Sequence, residues 1–240
     1  MSNAEVLAKN AANIRDRIAS AAARAGRSPE SITLMAVSKT VEPERIRAAY
    51  QAGLRVFGEN RVQEFADKHV HLADLADAEW HLIGHLQSNK ARRAAELFHA
   101  VESVDSLRLA EKLDQAASQF GKILPVLIEI NIGGEENKTG LAADSPELET
   151  LLLFANKLQH LRMRGLMTVP PYTEDPEGAR PYFRRLRELR DAIAARKLPA
   201  VEMNTLSMGM SHDFEVAIEE GSTCVRVGTA IFGARPAMGT

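Results

Sequence analysis

Lys39 follows the apolar run Ile32-Thr33-Leu34-Met35-Ala36-Val37 and leads at once into Thr40, Val41, Glu42 and Pro43. A short β-type run that passes through a lone lysine into a Pro-started helix sets that ammonium at a strand's carboxyl end, where α/β proteins hold ligands. In a desolvated pocket an amine titrates below its free value of about 10.4, and the uncharged form attacks an aldehyde to give a Schiff base. The competing reading is a lysine that snorkels to the rim or pairs with a carboxylate.

A second concentration of chemistry lies near the end of the chain. Ser207-Met208-Gly209-Met210-Ser211 is expected just after a seventh strand and just before a helix opening near Asp213. Small residues with open backbone amides, a hydroxyl and a following helix start make an anion cradle suited to phosphate. Val225-Arg226-Val227-Gly228-Thr229-Ala230 supplies glycine and hydroxyl in the same way after an eighth strand, and barrels commonly bind phosphate with those two loops. Gly209 and Gly228 also suit plain tight turns. Arg226 alternates with Val225 and Val227, so its guanidinium points either into a barrel mouth or into a structural ion pair. Beside a pyridine nitrogen its permanent charge would disfavour ring protonation and weaken the ring as an electron sink.

Gly58-Glu59-Asn60-Arg61 follows the second strand, where Asn60 either hydrogen-bonds a ligand hydroxyl or caps the next helix. His81 and His85 have the i, i+4 spacing of a helical metal pair, but the segment reads as strand and turn, and no metal site is expected. Arg180, Arg184, Arg185, Arg187 and Arg190 interleave with Glu188 and Asp191 on a helix and read as a solvated face. No serine sits in a G-x-S-x-G elbow.

The elements that must position these residues alternate along the chain. Apolar runs fall near 32–38, 55–58, 80–84, 100–104, 123–130, 162–169, 204–208 and 224–228, with helical patterns near 43–52, 60–76, 89–97, 106–120, 146–160, 177–196 and 213–220. Ser2 and Glu5 form a capping-box pattern that opens an extra amino-terminal helix reaching Gly26. Pro43, Pro146 and Pro176 sit at helix first turns, and Gly53 and Gly221 mark stops. Eight strands with intervening helices, and no G-x-G-x-x-G, point to a single α/β domain over 1–240, a (β/α)8 TIM-type barrel.

Bulk properties narrow the partners. The chain has 240 residues, 45% hydrophobic and 26% charged, with net charge −2 and a pI near 6.4. That balance gives no footprint for nucleic acid or an anionic membrane surface. One cysteine, Cys224, permits no intrachain disulfide. Neither a leader peptide nor a membrane span is expected, so the reading is a cytoplasmic protein.

Together, Ala36-Val37-Ser38-Lys39-Thr40, Phe57-Gly58-Glu59-Asn60-Arg61-Val62-Gln63-Glu64, His81-Leu82-Ile83-Gly84-His85-Leu86-Gln87-Ser88-Asn89-Lys90, Arg164-Gly165-Leu166-Met167-Thr168, Ser207-Met208-Gly209-Met210-Ser211 and Val225-Arg226-Val227-Gly228-Thr229-Ala230-Ile231-Phe232-Gly233 resemble the pyridoxal phosphate homeostasis protein family. The resemblance implies a barrel similar to the amino-terminal domain of alanine racemase, with pyridoxal 5′-phosphate held as an aldimine on Lys39. It implies that Ser207, Gly209, Gly228 and Thr229 hold the phosphate with Met208 among them, that Arg226 faces the pyridine nitrogen, and that Asn60 lies near the ring. It also implies a non-catalytic monomer that keeps the cofactor low and available, with cofactor-requiring apoenzymes as partners. Val41, where relatives often carry lysine, and the tail Ala-Arg-Pro-Ala-Met-Gly-Thr after Gly233 depart from the family pattern.

Two enzyme readings stand beside the carrier. A small racemase needs a second acid/base opposite the lysine; racemases take a tyrosine from a further domain, and here only Tyr172 is expected to reach the mouth. A lysine-dependent aldolase acting on a sugar phosphate would carry no chromophore.

Overall fold

The computed structural model describes residues 3–135 and 138–233, so the Ser2 cap and the tail after Gly233 lie outside the described residues. Helix α1 (Asn3–Arg24) precedes eight strands: β1 (Thr33–Val37), β2 (Val56–Glu59), β3 (Glu79–Leu82), β4 (Ala100–Val104), β5 (Leu124–Glu129), β6 (Leu161–Met167), β7 (Val201–Met210) and β8 (Cys224–Val227). All pair in parallel in chain order, and β8 returns to β1 to close the barrel. Between them run α2 (Pro43–Gln51), α3 (Val62–His69), α4 (Ala91–Leu97), α5 (Leu107–Gln119), α6 (Pro146–Phe154), α7 (Arg180–Ala195) and α8 (Phe214–Glu219), and α9 (Thr229–Phe232) follows β8. The alternation expected from the sequence is thus the architecture. No described helix is long and apolar enough to cross a membrane.

Local chemistry accounts for the boundaries. Pro43 and Pro146 open α2 and α6, where the missing N–H costs nothing. Ser106 and Ser145 cap α5 and α6 by accepting from Leu109 N and Leu148 N. Helix α1 buries Leu7, Ala11, Ile14, Ile18, Ala21 and Ala22, one stripe at helical spacing. Arg17 and Arg24 tie the helix to Glu215 and Glu219 of α8.

The main apolar layer lies between sheet and helices. Phe57 and Trp80 stack at 5.0 Å, and Phe65 of α3 packs on Trp80 and Phe98 at 4.9 and 4.8 Å. The barrel's interior differs: His81, Glu102, Ser207 and Arg226 form a polar level inside it. His81 Nδ1 lies 2.8 Å from Glu102 Oε1, Ser207 Oγ donates to Glu102 Oε2 at 2.5 Å, and Arg226 Nη1 donates to Ser207 Oγ at 2.8 Å. Burial opposes a charged imidazole, but hydrogen bonds to Glu102 and Glu79 outweigh it and lift His81 to about 9. Burial likewise opposes the Glu102 charge, and His81, Arg226 and Ser207 nonetheless hold it below the usual carboxylate range.

The His81 stabilisation is complete below its ordinary value of 6.5 and is lost as pH rises through about 9. Thermal or urea unfolding should therefore show wild type losing up to about 3 kcal/mol across that window. His81→Gln should flatten this alkaline decline.

Candidate functional site

The barrel carries a cavity at each end. A space of about 400 Å³ at the carboxyl end is lined by Val37, Lys39, Asn60, Ile83, Val169, Met210, Ser211, His212, Arg226, Gly228 and Thr229. A larger one of about 720 Å³ opens at the amino end among the first residues of the strands, including Thr33, Val56, Glu79, Ala100 and Cys224. Lys39, Gly228 and Thr229 line the smaller one, at the end where barrels place their chemistry.

Lys39 sits on a two-residue turn just past β1, and both its neighbours are tied down. Ser38 is buried, its Oγ donating to Glu59 Oε1 at 2.7 Å and its carbonyl accepting from Lys68 Nζ at 3.0 Å. Thr40 N donates to Glu64 Oε1 at 2.6 Å, and Lys68 bridges Glu59 and Glu64 at 3.2 and 2.8 Å. Burial pushes the Glu59 carboxyl up, against the Lys68 charge and the Ser38 hydroxyl that draw it down. Thr40 has φ +60°, a left-handed conformation that a β-branched residue holds only when its surroundings dictate it.

Across the mouth, Ser211 Oγ accepts from Gly228 N and Ala230 N at 3.3 and 3.4 Å. Two backbone amides thus converge on one point with long bonds, and the carbonyl and Cβ of Val37 come within 3.4 Å of where a Gly228 Cβ would stand. Arg226 is 3% exposed and reaches the cavity wall while Nη1 donates to Ser207 O at 2.6 Å and Nη2 to Thr168 O at 2.6 Å. Of the two alternatives left by its sequence context, the guanidinium reaches the barrel mouth, and the oxygens of Ser207 and Thr168 hold it there in place of a direct ion pair.

The structure brings Lys39, Asn60, Arg226, Gly228 and Thr229 to one cavity, and it leaves Ser207, Met208 and Gly209 out of the lining. The reason is that β7 runs on to Met210, past the expected 204–208 run, and takes Ser207, Met208 and Gly209 into the strand. Ser207 points inside, bound to Glu102 and Arg226; Met208 is buried in the outer core. Gly209, at φ +92°, lets α8 approach so closely that a Cβ would meet Ala217 Cβ at 2.5 Å. Ser211 and His212 line the cavity in their place. Only the terminal hydroxyl of the motif hinted at Ser211, and nothing in the local pattern marked His212.

His212 Nε2 lies 3.1 Å from the carbonyls of Thr173 and Glu174 and so carries the proton, while its ring packs on Tyr172 at 5.6 Å. Tyr172 is 79% exposed. His81 and His85 have separate carboxylate partners, Glu102 and Asp105.

Residues 10–236 match the family model described as "Alanine racemase, N-terminal domain". A pyridoxal phosphate homeostasis protein of Aquifex aeolicus (strain VF5) is 48% identical over 222 residues, covering 92% of this chain and 95% of that one. Its counterpart in Escherichia coli (strain K12) is 47% identical over 231 residues, covering 95% and 97%. Among solved structures, PipY of Synechococcus elongatus PCC7942 with pyridoxal phosphate bound superposes with a TM-score of 0.82 at 37% identity, covering 95% of this chain and 100% of that one. With its barrel closed, its lysine and cradle at one mouth and these relatives matched along almost their whole length, the chain belongs to the pyridoxal phosphate homeostasis protein family.

Proposed function

We propose that this chain binds pyridoxal 5′-phosphate reversibly at the carboxyl mouth of its barrel and acts as an intracellular carrier and regulator of that cofactor, without turnover. The observation that carries this reading is the shared cavity of Lys39, Arg226 and the Ser211–Gly228–Thr229 cradle. About 400 Å³ suits one substituted ring with a phosphate arm. The cradle fits an anion, because amides that reach Ser211 Oγ at only 3.3 and 3.4 Å would hold a charged oxygen at about 2.9 Å.

When bound, the cofactor would supply an aldehyde, and Lys39 would hold it through its amine. Ser211, Gly228 and Thr229 anchor the phosphate. Arg226 would face the pyridine nitrogen, and its permanent charge would disfavour protonation there and so restrain carbanion chemistry. Asn60 contacts the ring face or its hydroxyl. The mouth offers little for proton transfer to a substrate: His212 is occupied with the carbonyls of Thr173 and Glu174, and Tyr172 stands in solvent. Within this reading the protein is one domain, works in the cytoplasm as a monomer and passes cofactor to apoenzymes that require it.

Wild type supplied with pyridoxal phosphate and reduced with borohydride should gain one cofactor mass, and Lys39→Ala none; a wild type without the adduct overturns the reading. Incorporation of solvent deuterium at the α-carbon of an amino acid, at a rate dependent on Lys39, would replace the carrier with a racemase. Ser211→Ala should raise the Kd in an absorbance titration about 3- to 10-fold, the loss of one hydrogen bond, with the Lys39 adduct intact. Lys68→Met strands the buried Glu59 carboxylate and should cost about 3–5 kcal/mol in urea unfolding, slowing adduct formation as the Lys39 turn loosens.

A further inference from the structure

The polar level inside the barrel joins the two cavities. Glu102 and His81 line the amino-end cavity, Arg226 lines the carboxyl-end one, and Ser207 lies between them. The chain of contacts is unbroken at 2.8, 2.5 and 2.8 Å from His81 to Arg226.

A carboxylate meant only to neutralise a buried guanidinium would meet it directly, in the bidentate fork that arginine favours. Glu102 does not. One oxygen accepts from the Ser207 hydroxyl, and the other faces His81, whose far nitrogen lies 3.7 Å from the solvent-facing Glu79. Arg226 is instead held by oxygens of Ser207 and Thr168, which fix its plane without cancelling its charge.

We propose that Glu102 and His81 are positioning residues for Arg226: through Ser207 they set the direction and field of the guanidinium at the upper cavity, and they exchange their proton with solvent through the lower one. The proposal rests on the cofactor reading of the upper cavity. With His81 protonated, Glu102 divides its charge between two cations, and Arg226 presents most of its field to the ligand. Once His81 loses its proton, Glu102 bears on Ser207 and Arg226 alone, and that field weakens.

The charged groups around His81 are few and identified. They are Glu79 on its own strand, Glu102 on β4 and His99 just before it, with Arg226 acting through Glu102 and Arg164 of β6 on the lower cavity wall. The Cys224 thiol beside Ser207 is held protonated by burial. His99 is held neutral by burial and by Lys122, and its Nδ1 accepts from Trp80 N.

The test has an arm that needs no cofactor. In the cofactor-free protein, ring-carbon NMR should show His81 titrating near 9 in wild type and at a lower pH in the near-isosteric Glu102→Gln. The Arg226 guanidinium nitrogens should shift as His81 titrates in wild type and stay still in Ser207→Ala. With pyridoxal phosphate bound, the visible band of wild type should move over the same pH step. His81→Gln should keep the borohydride-stable adduct and lose the step, a result that lost stability alone does not produce. Should His81→Gln fail to fold, Glu102→Gln and Ser207→Ala carry the comparison.

Bands of wild type and variants that superimpose at every pH overturn the proposal. So does a His81 titration unmoved by Glu102→Gln. A wild type that takes up no cofactor overturns the carrier reading instead, and the NMR arm still decides for or against the relay.

Discussion

A guanidinium inside a barrel is the constraint from which the rest of this structure follows. Arg226 is 3% exposed, and a buried cation without compensation would cost far more than the fold's net stability. Glu102 provides the counter-charge, Ser207 separates the two, and protonated His81 shares the same carboxylate. The barrel's interior at this level is consequently a polar scaffold whose members each need the others, in contrast to the layer of branched apolar side chains common in such barrels. A permanent positive charge thereby reaches the wall of the upper cavity from inside the barrel.

The opposite wall is held by different means. Glu59, Glu64 and Lys68 form a knot outside the barrel that grips the residues on either side of Lys39. The lysine is thus placed by a charged cluster on β2 and α3, while its partner groups are placed by β7 and β8. The register that pairs Met35 with Arg226 and Ala36 with Val227 brings the two walls together, and only a closed sheet does so for the first and last strands. Chemistry far apart in sequence is joined by closure itself.

Much of this was legible in the chain. Alternating apolar runs and helical stretches gave eight strands in order, and the lysine after the first of them faces the cavity as its position implied. The serine motif was misplaced for a definite reason. Between Ser207 and Met210 the seventh strand advances three residues while the eighth advances two, from Cys224 to Arg226. Such a bulge reverses which side chains face inward, and no residue type announces it apart from Gly209. Ser207 therefore becomes a partner of Arg226, and Ser211 reaches the cavity. The interior carboxylate of Glu102 was hidden for a related reason: Ala100-Val101-Glu102-Ser103-Val104 is buried throughout, so alternation gives no clue to its direction.

The turn bearing Lys39 has one more consequence. Thr40 is held at φ +60° with its amide anchored to Glu64, and Ser38 is anchored to Glu59 and Lys68. Backbone on both sides of the amine is therefore spoken for whether or not anything is attached to it. Arrival and departure of a ligand must proceed by rotation about the lysine's own methylene torsions, motions of picoseconds to nanoseconds, while segmental opening takes microseconds or longer. The segment that carries the amine is thus a fixed perch, and its backbone need not rearrange for the side chain to work at the cavity.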